Sequence, residues 1–365
     1  MGGNDDLFAA IDECAHALWR GGQSPRERLT AMLDSGYDLD RASSADLVRT
    51  LEERVAGLLA KPAAAYFPTG TMAQQVALRC WAGRTGSKTV AMHPLSHPEV
   101  HERDALTTLT GLRTVHPTTA RRPFSAAEVT ALDEPFGTLM IELPLRDAGF
   151  LLPSWAGLTA TVQAGRTRNA VVHIDGARLW ECATHFGRDL EEIAALADSV
   201  YVSFYKSLGA MSGAALAGPP DFIAEAKAWR HRYGGQVTGQ FPFAVDALIG
   251  LDTELPRLAS YVRHAAVVAE AMRDALADTL AWSRVAPVPP HTHQFAVWLP
   301  YRQDILHDAA LRQAKQSKTS LFPFWRDTPL PGVSKAEVTV AGPALAWTAR
   351  DAEAAAREFA SYLHD

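Results

Sequence analysis

Two short apolar runs each end on a residue able to do chemistry. Ala170-Val-Val-His-Ile174 leads into Asp175-Gly-Ala-Arg178, and Ser199-Val-Tyr-Val-Ser-Phe-Tyr205 leads into Lys206. A lysine in a low-dielectric pocket loses its proton more easily and becomes a nucleophile toward an aldehyde. An acid beside it can keep a heterocyclic ring nitrogen protonated, so that the ring draws electrons from a bonded substrate. An adjacent lysine and acid are what a pyridoxal 5′-phosphate site requires. Taken singly, each has a plainer reading: Lys206 as a surface cap on a strand, Asp175 and Arg178 as a buried ion pair. Taken together, Arg178 offers a bidentate fork for a substrate carboxylate. The small-residue stretch Ser207-Leu-Gly-Ala-Met-Ser-Gly213 lets backbone approach a flat ring.

Pro68-Thr69-Gly70-Thr71 lies between a strand-like run and a helix. Free N–H groups at such a helix start suit a phosphate, although an ordinary capped helix would look the same. His93, His97 and His101 recur at helical spacing, and with Glu99 or Glu102 would resemble a metal stripe. Pro94 and Pro98 interrupt that helix, so one imidazole stacked on a cofactor ring is the better use. His291-Thr-His293 reads as the opening of a strand rather than a second metal fragment.

The elements that must position these residues follow from periodicity. Apolar runs recur near 89–92, 138–143, 170–174, 199–204 and 214–217, separated by helical or loop stretches. Such alternation predicts an α/β domain with a mostly parallel sheet. In such a sheet the carboxyl ends of neighbouring strands open on one crevice, and a single crossover helix would join the strands of Asp175 and Lys206. Ser44 is expected to cap an amphipathic helix bearing Leu47, Val48, Leu51, Val55, Leu58 and Leu59. A long helix over roughly 256–280, strands at 295–299 and 337–340 and a helix over 352–362 predict a small α+β domain. The expected division is a segment over 1–44, a cofactor-binding α/β domain over 45–255 and the small domain over 256–365.

The chain has 365 residues, 47% hydrophobic and 21% charged, with a net charge of −6. That composition is globular and carries no clustered basic footprint for nucleic acid. No apolar stretch is long enough to span a membrane, and the acidic N-terminus lacks a signal core. Three scattered cysteines, Cys14, Cys80 and Cys182, do not make a disulfide framework, so the expected compartment is the cytoplasm.

Ala64-Ala-Tyr-Phe-Pro-Thr-Gly-Thr71, Ser96-His-Pro-Glu-Val-His-Glu102, Val172-His-Ile-Asp-Gly-Ala-Arg178 and Asp198-Ser-Val-Tyr-Val-Ser-Phe-Tyr-Lys-Ser-Leu-Gly209 together resemble the threonine aldolase / β-eliminating lyase family of fold-type I pyridoxal phosphate enzymes. The resemblance implies a large, mostly parallel mixed sheet flanked by helices, with a small C-terminal α+β domain. It implies Lys206 as the Schiff-base lysine, Asp175 as the partner of the ring nitrogen, His97 as the ring-stacking histidine and Gly70 with Thr71 as phosphate ligands. Arg178 would hold the substrate carboxylate, and a homodimer or homotetramer is implied. The expected reaction cleaves a β-hydroxy-α-amino acid to glycine and an aldehyde, with His97, His101 or a water as base.

The chain also departs from the family. Leu145 replaces a histidine linked to the substrate hydroxyl, Tyr205-Lys206-Ser207 replaces Ser-Lys-Gly, and Ala42-Ser43 replaces a Tyr-Gly. No arginine follows Gly234-Gly235, and a carboxylate-binding arginine aligns near Glu337. Arg146 or Arg326 could supply that charge, or the substrate could carry a cation. These changes leave β-elimination, transaldol transfer, racemisation and transamination as alternatives on one cofactor. A cofactor-fold protein serving only to bind or regulate is a third reading.

Overall fold

Seven strands form the sheet that organises most of the chain: β1 (Ala63–Phe67), β2 (Thr89–Ala91), β3 (Arg113–Val115), β4 (Thr138–Glu142), β5 (Val171–Gly176), β6 (Ser199–Ser203) and β7 (Ala214–Gly218). Their spatial order is β1-β7-β6-β5-β4-β2-β3. The pairs from β3 through β6 are parallel, whereas β7 is antiparallel to both β6 and β1. The central strands are buried on both faces, which is why they read as unbroken apolar runs rather than alternating ones. The computed structural model describes residues 2–19 and 22–363. It divides into a unit of Gln23–Pro256 and a unit combining Met1–Gly22 with Arg257–Asp365.

Within the large unit, the helix Gly70–Thr85 starts on Thr69, whose hydroxyl accepts the Met72 N–H, and stops at Gly86 with φ of 70°. Its buried side chains Ala73, Val76, Ala77 and Cys80 join Phe67, Tyr201, Leu216 and Phe222 in one apolar cluster. The helix Ser44–Leu58 is capped by Ser43 rather than Ser44, with Asp46 completing the reciprocal capping box. Between β5 and β6 the expected single helix is instead three short pieces: Leu179–Glu181, Ala183–Phe186 and Leu190–Ala195. Gly187, left-handed at φ of 59°, ends the second piece.

The small unit has a four-stranded antiparallel sheet of β8 (Arg284–Ala286), β9 (Gln294–Leu299), β10 (Trp325–Asp327) and β11 (Ser334–Thr339), in the order β10-β11-β9-β8. Its helices are Gly2–Asp12, Leu258–Thr279, Gln303–Gln316 and Ala349–Ser361. Leu7 and Ile11 share a core with Met272, Phe295, Trp325 and Phe359, and His16–Ala17 pairs with Thr319–Ser320. Burial of these N-terminal side chains groups the first residues with the C-terminal ones. Among the described residues no helix is long and apolar enough to cross a membrane.

Candidate active site

The parallel run brings the carboxyl ends of β2, β4, β5 and β6 to one edge. β1 points the same way, because β1 and β6 are both antiparallel to β7. Phe67, Glu142, Asp175 and Ser203 therefore end their strands, or nearly so, at a common edge, and the helix starting at Gly70 opens beside it. This is where ligands bind in open α/β sheets.

Asp175 is 1% exposed and accepts the Ala177 N–H at 3.2 Å. Its register partner on β6 is Tyr201, and Lys206 follows three residues beyond that strand, with Nζ 4.6 Å from the centre of the Tyr205 ring. His97 begins the helix His97–Val100. Its N–H donates to Glu142 Oε2 at 2.7 Å and its Nδ1 lies 3.1 Å from Glu102 Oε1. Glu102 also accepts from Gln75 Nε2 at 3.0 Å. Gly70 and Thr71 are the first residues of their helix. Arg178 is buried, with its guanidinium 5.4 Å from the centre of the Phe150 ring. Arg146 Nη1 lies 3.3 Å from His101 Nε2, which is itself 2.6 Å from Asp147 Oδ2. The rings of His97 and His101 are 5.2 Å apart. His93 takes no part: its Nδ1 accepts the Leu95 N–H and its Nε2 donates to the Ala120 carbonyl.

Desolvation pushes Asp175 up to about 6, against the opposing effects of His97 and the Ala177 N–H. It pushes Glu142 up to about 8, and the charge on Asp175 adds to the rise. The two carboxyls titrate as a pair. Tyr201 and Tyr205 are raised by the same loss of water, and their hydroxyls hydrogen-bond to each other.

These features fit pyridoxal phosphate. A buried carboxylate with few donors calls for a cationic partner, which a protonated ring nitrogen would supply. Gly70 leaves room that no other residue would: a Cβ there would collide with the Tyr201 hydroxyl and lie 3.1 Å from that of Tyr205. Buried polar atoms without a hydrogen-bond partner, Gln74 Nε2, Gln75 Oε1 and Ser96 Oγ, belong to the residues around this edge. Lys206, Asp175, Gly70 and Thr71 could hold the cofactor, and His97 could cover its ring.

Glu142, Gln74, Tyr201 and the partnership of Glu102 with His97 are the site features that spacing alone does not reveal. The available signal for Glu142 is positional, since an acid ends β4 as Asp175 ends β5. Leu145, where the resemblance implies a histidine, is buried, and its backbone bridges to Leu151. Its side chain lines a small pocket with Phe124, Leu143 and Leu158. In the small unit Glu337 pairs with Lys335 at 3.3 Å, so a cation accompanies the acid. Arg326 packs over the Phe324 ring at 4.8 Å.

The fold is that of the fold-type I pyridoxal phosphate enzymes. A structure of SPT with PLP shares that fold at a TM-score of 0.67 and 16% identity, over 93% of this chain and 83% of that one. The chain belongs to the β-eliminating lyase family, whose model matches residues 27–288, and it is a lyase dependent on pyridoxal 5′-phosphate. Low-specificity L-threonine aldolase 1 of Arabidopsis thaliana is 27% identical over 279 residues, 73% of this chain and 76% of the relative. The low specificity L-threonine aldolase of Escherichia coli K12 is 29% identical over 268 residues, 70% and 78% of the two chains. A Listeria monocytogenes structure assigned as an L-allo-threonine aldolase superposes with a TM-score of 0.89 at 31% identity, over 99% of this chain and 100% of that one.

Proposed function

We propose that the chain is an aldolase of the threonine type, cleaving a β-hydroxy-α-amino acid to glycine and an aldehyde. The observation that carries this reading is the strand-end edge gathering Asp175, Glu142 and the Gly70 helix start, with Lys206 close behind. When bound, pyridoxal phosphate supplies the electron sink for the breaking Cα–Cβ bond. Lys206 would supply the amine for the cofactor aldehyde, and Asp175 would pair with its ring nitrogen. The Gly70 and Thr71 N–H groups would hold the phosphate at the positive end of their helix, and His97 would cover the ring. Arg178 grips the substrate carboxylate, which sets the bond that breaks, while Arg146 adds positive charge near its path. His101, oriented by Asp147, takes the proton of the β-hydroxyl in place of the family histidine.

In this reading the large unit carries the cofactor, and the protein works as a cytoplasmic homodimer or homotetramer on a small amino acid. The exposed apolar side chains of Leu29, Leu33, Phe241 and Phe243, all in the large unit, support self-association. Aldehyde release from a panel of β-hydroxy amino acids by the cofactor-loaded protein tests the activity; no release from any of them would overturn it. The burial of Leu145 favours a second reading, in which the same cofactor serves β-elimination, transaldol transfer, racemisation or transamination. Product profiling across amino acids separates the two.

A further inference from the structure

Behind the strand-end edge, four buried side chains form a hydrogen-bond chain that runs one way. Trp81 Nε1 donates to Ser199 Oγ at 2.7 Å, Ser199 Oγ lies 2.7 Å from His173 Nδ1, and His173 Nε2 lies 2.8 Å from Gln74 Oε1. Ser199 and His173 are fully buried, and Gln74 is 1% exposed.

The direction of each link follows from the donors available. The Trp81 indole can only donate. Ser199 accepts that proton and has one O–H left, which points to His173 Nδ1. Burial holds His173 far below its ordinary range, at about 3, so the ring is neutral and carries a single N–H. Because Nδ1 accepts, the proton sits on Nε2 and is donated to the Gln74 carboxamide oxygen. With its oxygen engaged, Gln74 has only N–H to offer on its other side. Gln74 Nε2 is buried and makes no hydrogen bond among the described residues, and the Gln74 side chain favours the ionised form of Asp175.

We propose that Gln74 is a positioning residue for the cofactor, and that Trp81, Ser199 and His173 fix its amide as a donor to Asp175. The inference rests on reading Asp175 as the partner of the ring nitrogen. A reversed amide would set a carbonyl oxygen against the carboxylate and favour a protonated, neutral Asp175. The relay would therefore set whether a negative charge faces the ring. Its members lie on three elements: Gln74 and Trp81 on the Gly70–Thr85 helix, His173 on β5 and Ser199 on β6.

The test reads the protonation of the ring nitrogen in holoenzyme carrying isotopically labelled pyridoxal phosphate, by its nitrogen chemical shift. The wild type is expected to show a protonated ring, and D175N an unprotonated one. Q74M, close in volume but without a donor, is expected to shift the signal toward the unprotonated form and to weaken cofactor binding about tenfold. S199A is expected to move the signal in the same direction by less. In the unmodified apoprotein, the His173 ring is expected to be the neutral Nε2–H tautomer, a readout independent of any variant's folding. An unchanged ring signal in Q74M alongside a shifted one in D175N would overturn the role of Gln74 alone. An Nδ1–H or cationic His173 would do the same. An unchanged signal in D175N would overturn the underlying reading of Asp175.

Discussion

Glu142 and Asp175 stand directly opposite each other across the adjacent parallel strands β4 and β5, at the ends where the chain leaves the sheet. Two carboxyls so placed cannot both ionise freely. The Glu142 oxygens accept the N–H groups of His97 and Arg146, so this acid also anchors the two segments that carry the histidine pair and Asp147.

The pair gives the apoprotein a distinctive pH dependence. Asp175 is raised from 3.8 to about 6 and Glu142 from 4.5 to about 8. Between the ordinary and raised values the folded state binds more protons than the unfolded one, so stability falls as pH rises. His173, lowered from 6.5 to about 3, acts in the opposite sense below pH 6.5, where acid costs stability. The clean window therefore lies above pH 6.5, where Glu142 dominates. Thermal unfolding of the apoprotein should show stability dropping from pH 6.5 to 8, by at most about 1.4 kcal/mol per pH unit. E142Q should flatten that slope, and a wild-type profile that is flat or rising there would contradict the assignment.

Gly70 sits where its missing side chain matters most. G70A places a methyl against the Tyr201 hydroxyl at the helix end proposed for the phosphate. Cofactor affinity, measured by equilibrium titration, should fall roughly tenfold or more. Adding Y201F should recover part of the loss, since the nearest clashing atom is the hydroxyl. If G70A binds the cofactor as the wild type does, phosphate is not held at this helix start.

Much of this site is legible in the sequence because its main residues terminate apolar runs. Asp175 and Lys206 follow β5 and β6, and parallel strands deliver their ends to one edge whatever lies between them. The intervening segment was less readable. Gly187 breaks it into short helices, but nothing local distinguishes a glycine that ends a helix from one carried within it. Glu142, Gln74 and Tyr201 act through neighbours distant in sequence, so only strand order and register bring out their roles. The pairing of Leu7 and Ile11 with the C-terminal core is likewise a long-range packing fact with no local signature.

Arg178 is proposed to grip the substrate through a planar fork held over the Phe150 ring. Lysine would keep the charge but lose the second hydrogen bond and the fixed planar geometry. R178K should therefore lower kcat/KM by roughly a hundredfold, mostly through KM, with cofactor binding nearly unchanged. Steady-state kinetics across substrate concentration, beside a cofactor titration, checks this. A large loss of cofactor affinity would instead assign Arg178 to the cofactor.

His101 and Asp147 lie 2.6 Å apart, and Asp147 is two residues beyond Leu145. A carboxylate against one imidazole nitrogen orients the ring and favours its acceptance of a proton at the other. H101N should reduce kcat for aldehyde release by about 10²-fold or more, and D147N should reduce it less, because the imidazole remains but is no longer held. Exchange of the glycine α-proton, which needs no base at the β-hydroxyl, should survive both changes. Measuring exchange and cleavage on the same preparations decides the matter. Parallel loss of both would place His101 in cofactor or substrate binding, whereas unchanged cleavage in H101N would leave the β-hydroxyl proton to another group.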